Sequence, residues 1–195
     1  MTKLYTNPYQ RPRMLFLLLL LSQTPTAILA KNQNLMSTPP KRNEWKAFLE
    51  FSKVEHQQLW RGLRGKGQKM STWSWGWRIA WVRACLPHDM EGHCLEIATQ
   101  GSIDKAAVVR AEVAKYLGRK IEKLRSNSIE KHIKILKAIY HHPKNFRNGK
   151  PLIVPYKVLE ALSGSPYRKA QKTGEVLAKS HPLMEKFWKK VTTKG

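Results

Sequence analysis

The apolar positions of this 195-residue chain change period at a few identifiable points. From about Glu44 to Leu63, Trp45, Phe48, Leu49, Ser52, Leu59, Trp60 and Leu63 recur at helical spacing. Asn43 is placed to cap that segment, and Gly62 and Gly65 are placed to end it, so the pattern predicts one amphipathic helix. After Gly65-Lys66-Gly67 the stretch TWSWGWRIAWVRA alternates with period two, putting Trp73, Trp75, Trp77, Ile79 and Trp81 on one face. Aromatic and β-branched residues in that register predict a strand, although Trp73, Trp77 and Trp81 are also spaced as a helix would space them. A second strand over Cys94–Thr99 pairs back across CLPHDMEGH, where Pro87, Asp89 and Gly92 supply turn chemistry.

Beyond Gly101 the pattern is helical to the end. Ser102 precedes a stripe of Ile103, Ala106, Val109, Val113, Leu117, Ile121 and Leu124. Ser128 precedes a second stripe of Ile129, Ile133, Leu136, Ile139 and Tyr140, with Lys131, Lys134 and Lys137 on the opposite face. His141-His142-Pro143 stops that helix, and KNFRNGK follows as a basic loop. Pro155 and Ser165-Pro166 open two more helices, and a last one runs from Leu183 to Val191. The expected fold class is α+β: a helix-rich single domain with one N-terminal β-hairpin, mainly α being the nearest alternative. That domain spans residues 36–195, with 165–195 as an alternative C-terminal helical arm.

Residues 1–35 differ in character. Lys3, Arg11 and Arg13 precede the apolar run Met14–Leu21, and a small-residue stretch ends at Ala30, which is the layout of a secretory signal peptide. The run is shorter than the roughly 20 apolar residues a membrane-spanning helix needs. A transit peptide and a start at Met36 are the rival readings. Two cysteines and no Asn-x-Ser/Thr sequon favour an intracellular protein, whereas cleavage after residue 30 would make it secreted.

Charge then names the kind of partner. Thirty-six Lys and Arg face thirteen Asp and Glu, a formal net charge of +23, with no acid before Glu44. A surface that repels itself this strongly points to a polyanion, nucleic acid first and an anionic membrane second. The candidate phosphate contacts are Arg61, Arg64, Lys66 and Lys69 in a Gly-interleaved loop, with Arg78 and Arg83 on the strand that follows. Lys131, Lys134 and Lys137 form a second group, and Lys144, Arg147 and Lys150 a third. Trp73, Trp75 and Trp77 would stack unpaired bases if exposed, which slightly favours RNA. As the largest apolar groups present, they suit the core better.

The segment CLPHDMEGHC carries the remaining chemistry. Cys85, His88, His93 and Cys94 have zinc-like spacing in a cramped loop, so zinc is a weak expectation and no other cofactor is expected. A Cys85–Cys94 disulfide is an alternative, and two unrelated thiols the simplest reading. His88, Asp89, Glu91 and His93 suggest a metal-dependent nuclease as a further alternative. No paired carboxylates and no Ser/His/Asp set support catalysis, and the GxxxxGK[ST] phosphate loop is absent. The expected function is therefore an accessory or structural protein that binds nucleic acid through its phosphates. An exported cationic protein at anionic membranes is the alternative.

Overall fold

Ser52 and Glu55 set the first helix boundary in the computed structural model, which describes residues 46, 48–88, 92–123 and 128–193. The Glu55 N–H donates to Ser52 Oγ at 3.3 Å, and the Ser52 N–H donates to Glu55 Oε2 at 2.6 Å. This reciprocal capping box starts α1 at Lys53–Gly65. The single helix expected over 44–63 is thus divided at Ser52, a residue whose side chain competes for backbone donors.

The N-terminal hairpin is not formed. Trp75–His88 is a helix, α2, and His93–Ser102 is a second, α3. The alternation that suggested a strand misleads because α2 is buried nearly all round: every residue from Gly76 to Val82 is buried. A helix with no exposed face writes no 3.6-residue stripe, and its period cannot be told from a strand's. Gly76, Ala80 and Ala84 recur every fourth residue and are buried, while Trp77 and Trp81 face the aromatic cluster. Helix α2 packs on α3 and α4, and its aromatic face meets Trp60 and His56 of α1.

The other helices follow the predicted stripes closely. They are α4 (Ala107–Ile121), α5 (Ile129–Tyr140), α6 (Ile153–Ser163), α7 (Arg168–Ala178) and α8 (Pro182–Thr192). Ser102 closes α3 instead of opening α4, and Asp104 takes over the start of α4, its Oδ1 accepting from the Ala106 N–H at 2.7 Å. Ile103, assigned to the buried stripe, is 72% exposed. Leu124 lies outside the described residues.

Two antiparallel strands do exist, but inside the basic loop: β1 (Phe146–Arg147) pairs with β2 (Lys150–Pro151). Asn148 and Gly149, with φ of 51° and 71°, make the turn. Asn-Gly tolerates two consecutive positive φ values, the geometry of a tight hairpin turn.

The architecture is helix-rich with one small antiparallel hairpin, as α+β or mainly α predicts. Helix α4 packs against α2, α3, α5 and α6, and α6 packs in turn on α5, α7 and α8. Val113, Leu117 and Ile121 of α4 are completely inaccessible and share one core cluster with Val154, Val158, Leu159 and Leu162. Burying one such side chain contributes about 1.5–3 kcal/mol. At Gly118 the α4 backbone approaches Ala161 so closely that a Cβ would lie 2.9 Å from the Ala161 Cβ. Among the described residues, no helix is long and apolar enough to cross a membrane. The leader-like residues 1–35 lie outside those described.

Candidate nucleic-acid interface

Helix α5 presents the clearest basic surface. Its buried side is Ile129, Ile133, Leu136, Ile139 and Tyr140, which leaves Lys131, Lys134 and Lys137 in solvent. Three residues rise about 4.5 Å along a helix, so this row spans about 9 Å. None of the three lysines has an acidic partner among the described residues. The one acid of α5, Glu130, is turned toward α7, where it pairs with Lys169.

The hairpin follows the C-terminal end of α5. Lys144, Arg147 and Lys150 are exposed and likewise lack an acidic partner among the described residues. What holds them is a buried residue, Asn145. Its amide Nδ2 donates to the carbonyls of Ile139 and Tyr140, two of the last carbonyls of α5. Its Oδ1 accepts from Arg110 Nε at 3.1 Å and Nη2 at 2.7 Å. A third Arg110 nitrogen, Nη1, donates to the carbonyl of Asp104. Burial lowers the Arg110 pKa, an effect that the Asp104 carboxylate partly offsets. On the far side, His181 Nε2 donates to the Gly149 carbonyl at 2.7 Å, tying the turn to the start of α8. The loop that carries the third basic group is therefore fixed to the C-terminal end of α5, the helix that carries the second.

Burial also lowers the His142 pKa, with the charges of Arg110 and Lys144 adding to the shift. Its Nδ1 accepts from the Lys144 N–H at 3.2 Å.

The first basic group is a different case. Arg61, Lys66 and Lys69 are exposed, but Arg64 Nε lies 2.8 Å from Glu96 Oε1 and Arg83 Nε lies 3.2 Å from Glu112 Oε1. Arg78 is not a surface residue at all. It is 2% exposed and paired with Asp104, so the expected phosphate contact is withdrawn. The α2 helix points Arg78 inward, whereas the strand register had placed it on the polar face.

The tryptophans divide the same way. Trp60, Trp73, Trp77 and Trp81 are buried, and Phe48 meets Trp77 and Trp81 at centroid distances of 5.5 and 4.9 Å. Trp60 meets Trp73 and Trp81 at 5.9 and 5.1 Å. Trp73 and Trp77 are core residues and offer no stacking face, while Trp75 is 46% exposed.

Cys85 and Cys94 form a disulfide, with Cα atoms 5.6 Å apart, which joins the last turn of α2 to the first of α3. Two unrelated thiols is therefore the wrong reading, and sulfurs bonded to each other are not zinc ligands as His88 and His93 were expected to share. Among the described residues, no group of three or more His, Cys, Asp or Glu side chains is arranged to hold a metal ion. Asp89 and Glu91 of the nuclease alternative lie outside the described residues.

Sequence reasoning missed Asn145, Arg110 and Asp104. Asn145 had a signal in the neighbouring Asn-Gly turn. Arg110 follows Val109 within an apolar stripe and has none. No family model matches this chain, and neither a curated protein nor a solved structure matches it.

Proposed function

We propose that the protein binds nucleic acid through its phosphate backbone, using the α5 row and the hairpin as the contact surface. The observation that carries this reading is the contrast in pairing. Arg64, Arg78 and Arg83 are engaged with acids of the protein, whereas Lys131, Lys134, Lys137, Lys144, Arg147 and Lys150 meet none among the described residues. A cation already neutralised internally gains little from a phosphate, while one held in solvent gains the release of condensed counterions. The backbone that carries these cations is already fixed by α5 and the Asn145 anchor, so binding orders side chains rather than backbone. The preference for RNA rested on exposed aromatic faces, of which Trp75 is what remains, so the reading covers RNA and DNA alike.

The test is the salt dependence of binding to a short single-stranded and a short double-stranded oligonucleotide. Replacing Lys131, Lys134 and Lys137 together by Gln lowers the slope of log affinity against log salt by about 2–3. An unchanged slope and affinity would reject this surface.

A second reading has one observation in its favour. The Cys85–Cys94 disulfide suits an oxidising compartment, as expected for an exported cationic protein acting at anionic membranes. Its aromatic anchors are weaker than the sequence suggested, because Trp73, Trp77 and Trp81 are buried. Co-sedimentation with phosphatidylserine vesicles at physiological salt, together with failure to bind oligonucleotides there, would favour it.

A further inference from the structure

His56 of α1 and His88 at the end of α2 meet inside the aromatic cluster, with ring centroids 4.9 Å apart and planes inclined by 33°. His56 is completely inaccessible. Its Nδ1 lies 3.0 Å from the Ser52 carbonyl oxygen, which can only accept, so Nδ1 carries the proton and Nε2 the lone pair. That Nε2 is buried without a hydrogen-bond partner, and so is the Nε2 of His88. Native proteins leave few buried polar atoms in this condition, and each calls for a physical reason. Phe48, Phe51 and Trp81 surround His56 at centroid distances of 4.8, 5.6 and 6.1 Å, so the side chains packed on its ring are aromatic. Burial is the main cause that lowers the His56 pKa. The charge of His88 adds to it, against the opposing hydrogen bonds to the backbone of Ser52 and Phe48 and the charge of Glu55.

We propose that His56 Nε2 and His88 Nε2 are two ligands of a divalent transition-metal ion of the zinc and copper class. Neutral imidazole nitrogens suit these ions, whereas magnesium and calcium require oxygen ligands. The spacing agrees. With metal–nitrogen bonds of about 2.0–2.1 Å, two imidazoles on one tetrahedral ion have ring centroids about 5 Å apart. The Ser52 carbonyl plays the part of the outer partner that fixes the tautomer and orientation of a metal-binding histidine. Among the described residues no third His, Cys, Asp or Glu side chain joins the pair, so the other positions belong to water or to a small exogenous ligand. The site differs from the one that the spacing in CLPHDMEGHC suggested, since the two sulfurs are bonded together and α1 supplies the second nitrogen.

The full-length, disulfide-bonded protein is stripped with a chelator and titrated with Zn²⁺ by calorimetry. It is then titrated with Cu²⁺, followed by tryptophan emission and electron paramagnetic resonance. The expected result is one ion per chain, nitrogen coupling in the copper spectrum, and quenching of emission because Trp81 abuts His56. His56→Gln and His88→Gln each weaken binding at least ten-fold, and His141→Gln leaves it unchanged. His88 lies at a helix end and is only half-buried, so its variant tests the site without emptying the core, and circular dichroism confirms the fold. No stoichiometric binding would overturn the proposal and assign the two nitrogens to a buried water shared with Trp81 Nε1, itself without a partner. Binding that survives both histidine variants would overturn it equally.

Discussion

Arg78 and Asp104 form a buried, two-pronged ion pair: Nε lies 2.6 Å from Oδ2 and Nη2 lies 3.0 Å from Oδ1, with both side chains 3% exposed. Asp104 thereby joins α2 to the start of α4, and its carbonyl also receives Arg110. Removing one partner of such a pair strands a charge in the interior. Asp104→Asn is expected to cost about 3–5 kcal/mol in urea denaturation. Arg78→Met should cost less, because Arg110 still faces the carboxylate. An Asp104→Asn protein as stable as the parent would contradict this account.

Much of the second half of the chain was legible in advance, and the reason is visible in α5. One face of that helix is solvent, so Ile129, Ile133, Leu136 and Ile139 write a clean stripe against Lys131, Lys134 and Lys137. Helix α2 lacks such a face and was misread as a strand for that reason alone. The candidate surface was partly legible by the same rule, since exposed lysines announce themselves through the pattern. Arg78 did not, because an ion pair with Asp104, twenty-six residues away, can only be seen once both helices are in place. Nor did the histidine pair: His56 and His88 are thirty-two residues apart and share no motif.

At Gly118 a methyl group would meet the Cβ of Ala161 at 2.9 Å and its backbone Cα at 3.1 Å. Alanine is the better helix former by about 1 kcal/mol. Here the crowding outweighs that gain, because the obstructing atoms belong to α6 itself and cannot rotate aside. Gly118→Ala is therefore expected to destabilise by about 1–3 kcal/mol, read as a lowered denaturation midpoint. A raised midpoint would mean that α4 and α6 separate more easily than this packing implies.

The disulfide closes a short loop, with nine residues of sequence separation between Cys85 and Cys94. Loop-closure entropy for that length amounts to about 2–3 kcal/mol. Cys85→Ser/Cys94→Ser should lose that much in denaturant. Helix content should hardly change, because the α2–α4 contacts persist. Equal stability of the two forms would show that the bridge contributes nothing.

The pairing contrast on the surface makes a direct comparison available. Arg64→Gln/Arg83→Gln should change oligonucleotide affinity less than Lys134→Gln/Lys137→Gln at the same salt, since the first two cations are held by Glu96 and Glu112. Fluorescence anisotropy at two salt concentrations checks it. Equal losses would place the contact surface elsewhere.

Acid should weaken the fold through His142. Burial, then Arg110 and Lys144, lower its folded pKa below the ordinary value near 6.5, with Asp104 opposing them. Between the two values the unfolded chain holds a proton that the folded chain lacks. Stability from this group is thus complete above about pH 6.5 and is lost as the pH falls through the folded value. His142→Gln should flatten that part of the stability curve. A steeper curve in the variant would reverse the assigned sign.

Both sulfurs of the disulfide are buried, Cys85 at 1% and Cys94 at 2% exposure. The bond must therefore be made before α2 and α3 close over it, and afterwards a dissolved thiol reaches it only when those helices part. The rate at which dilute reductant breaks the bridge becomes a clock for that opening. A chain that closes without the bridge would have to reopen to acquire it, so the order of the two events decides how fast the finished protein appears.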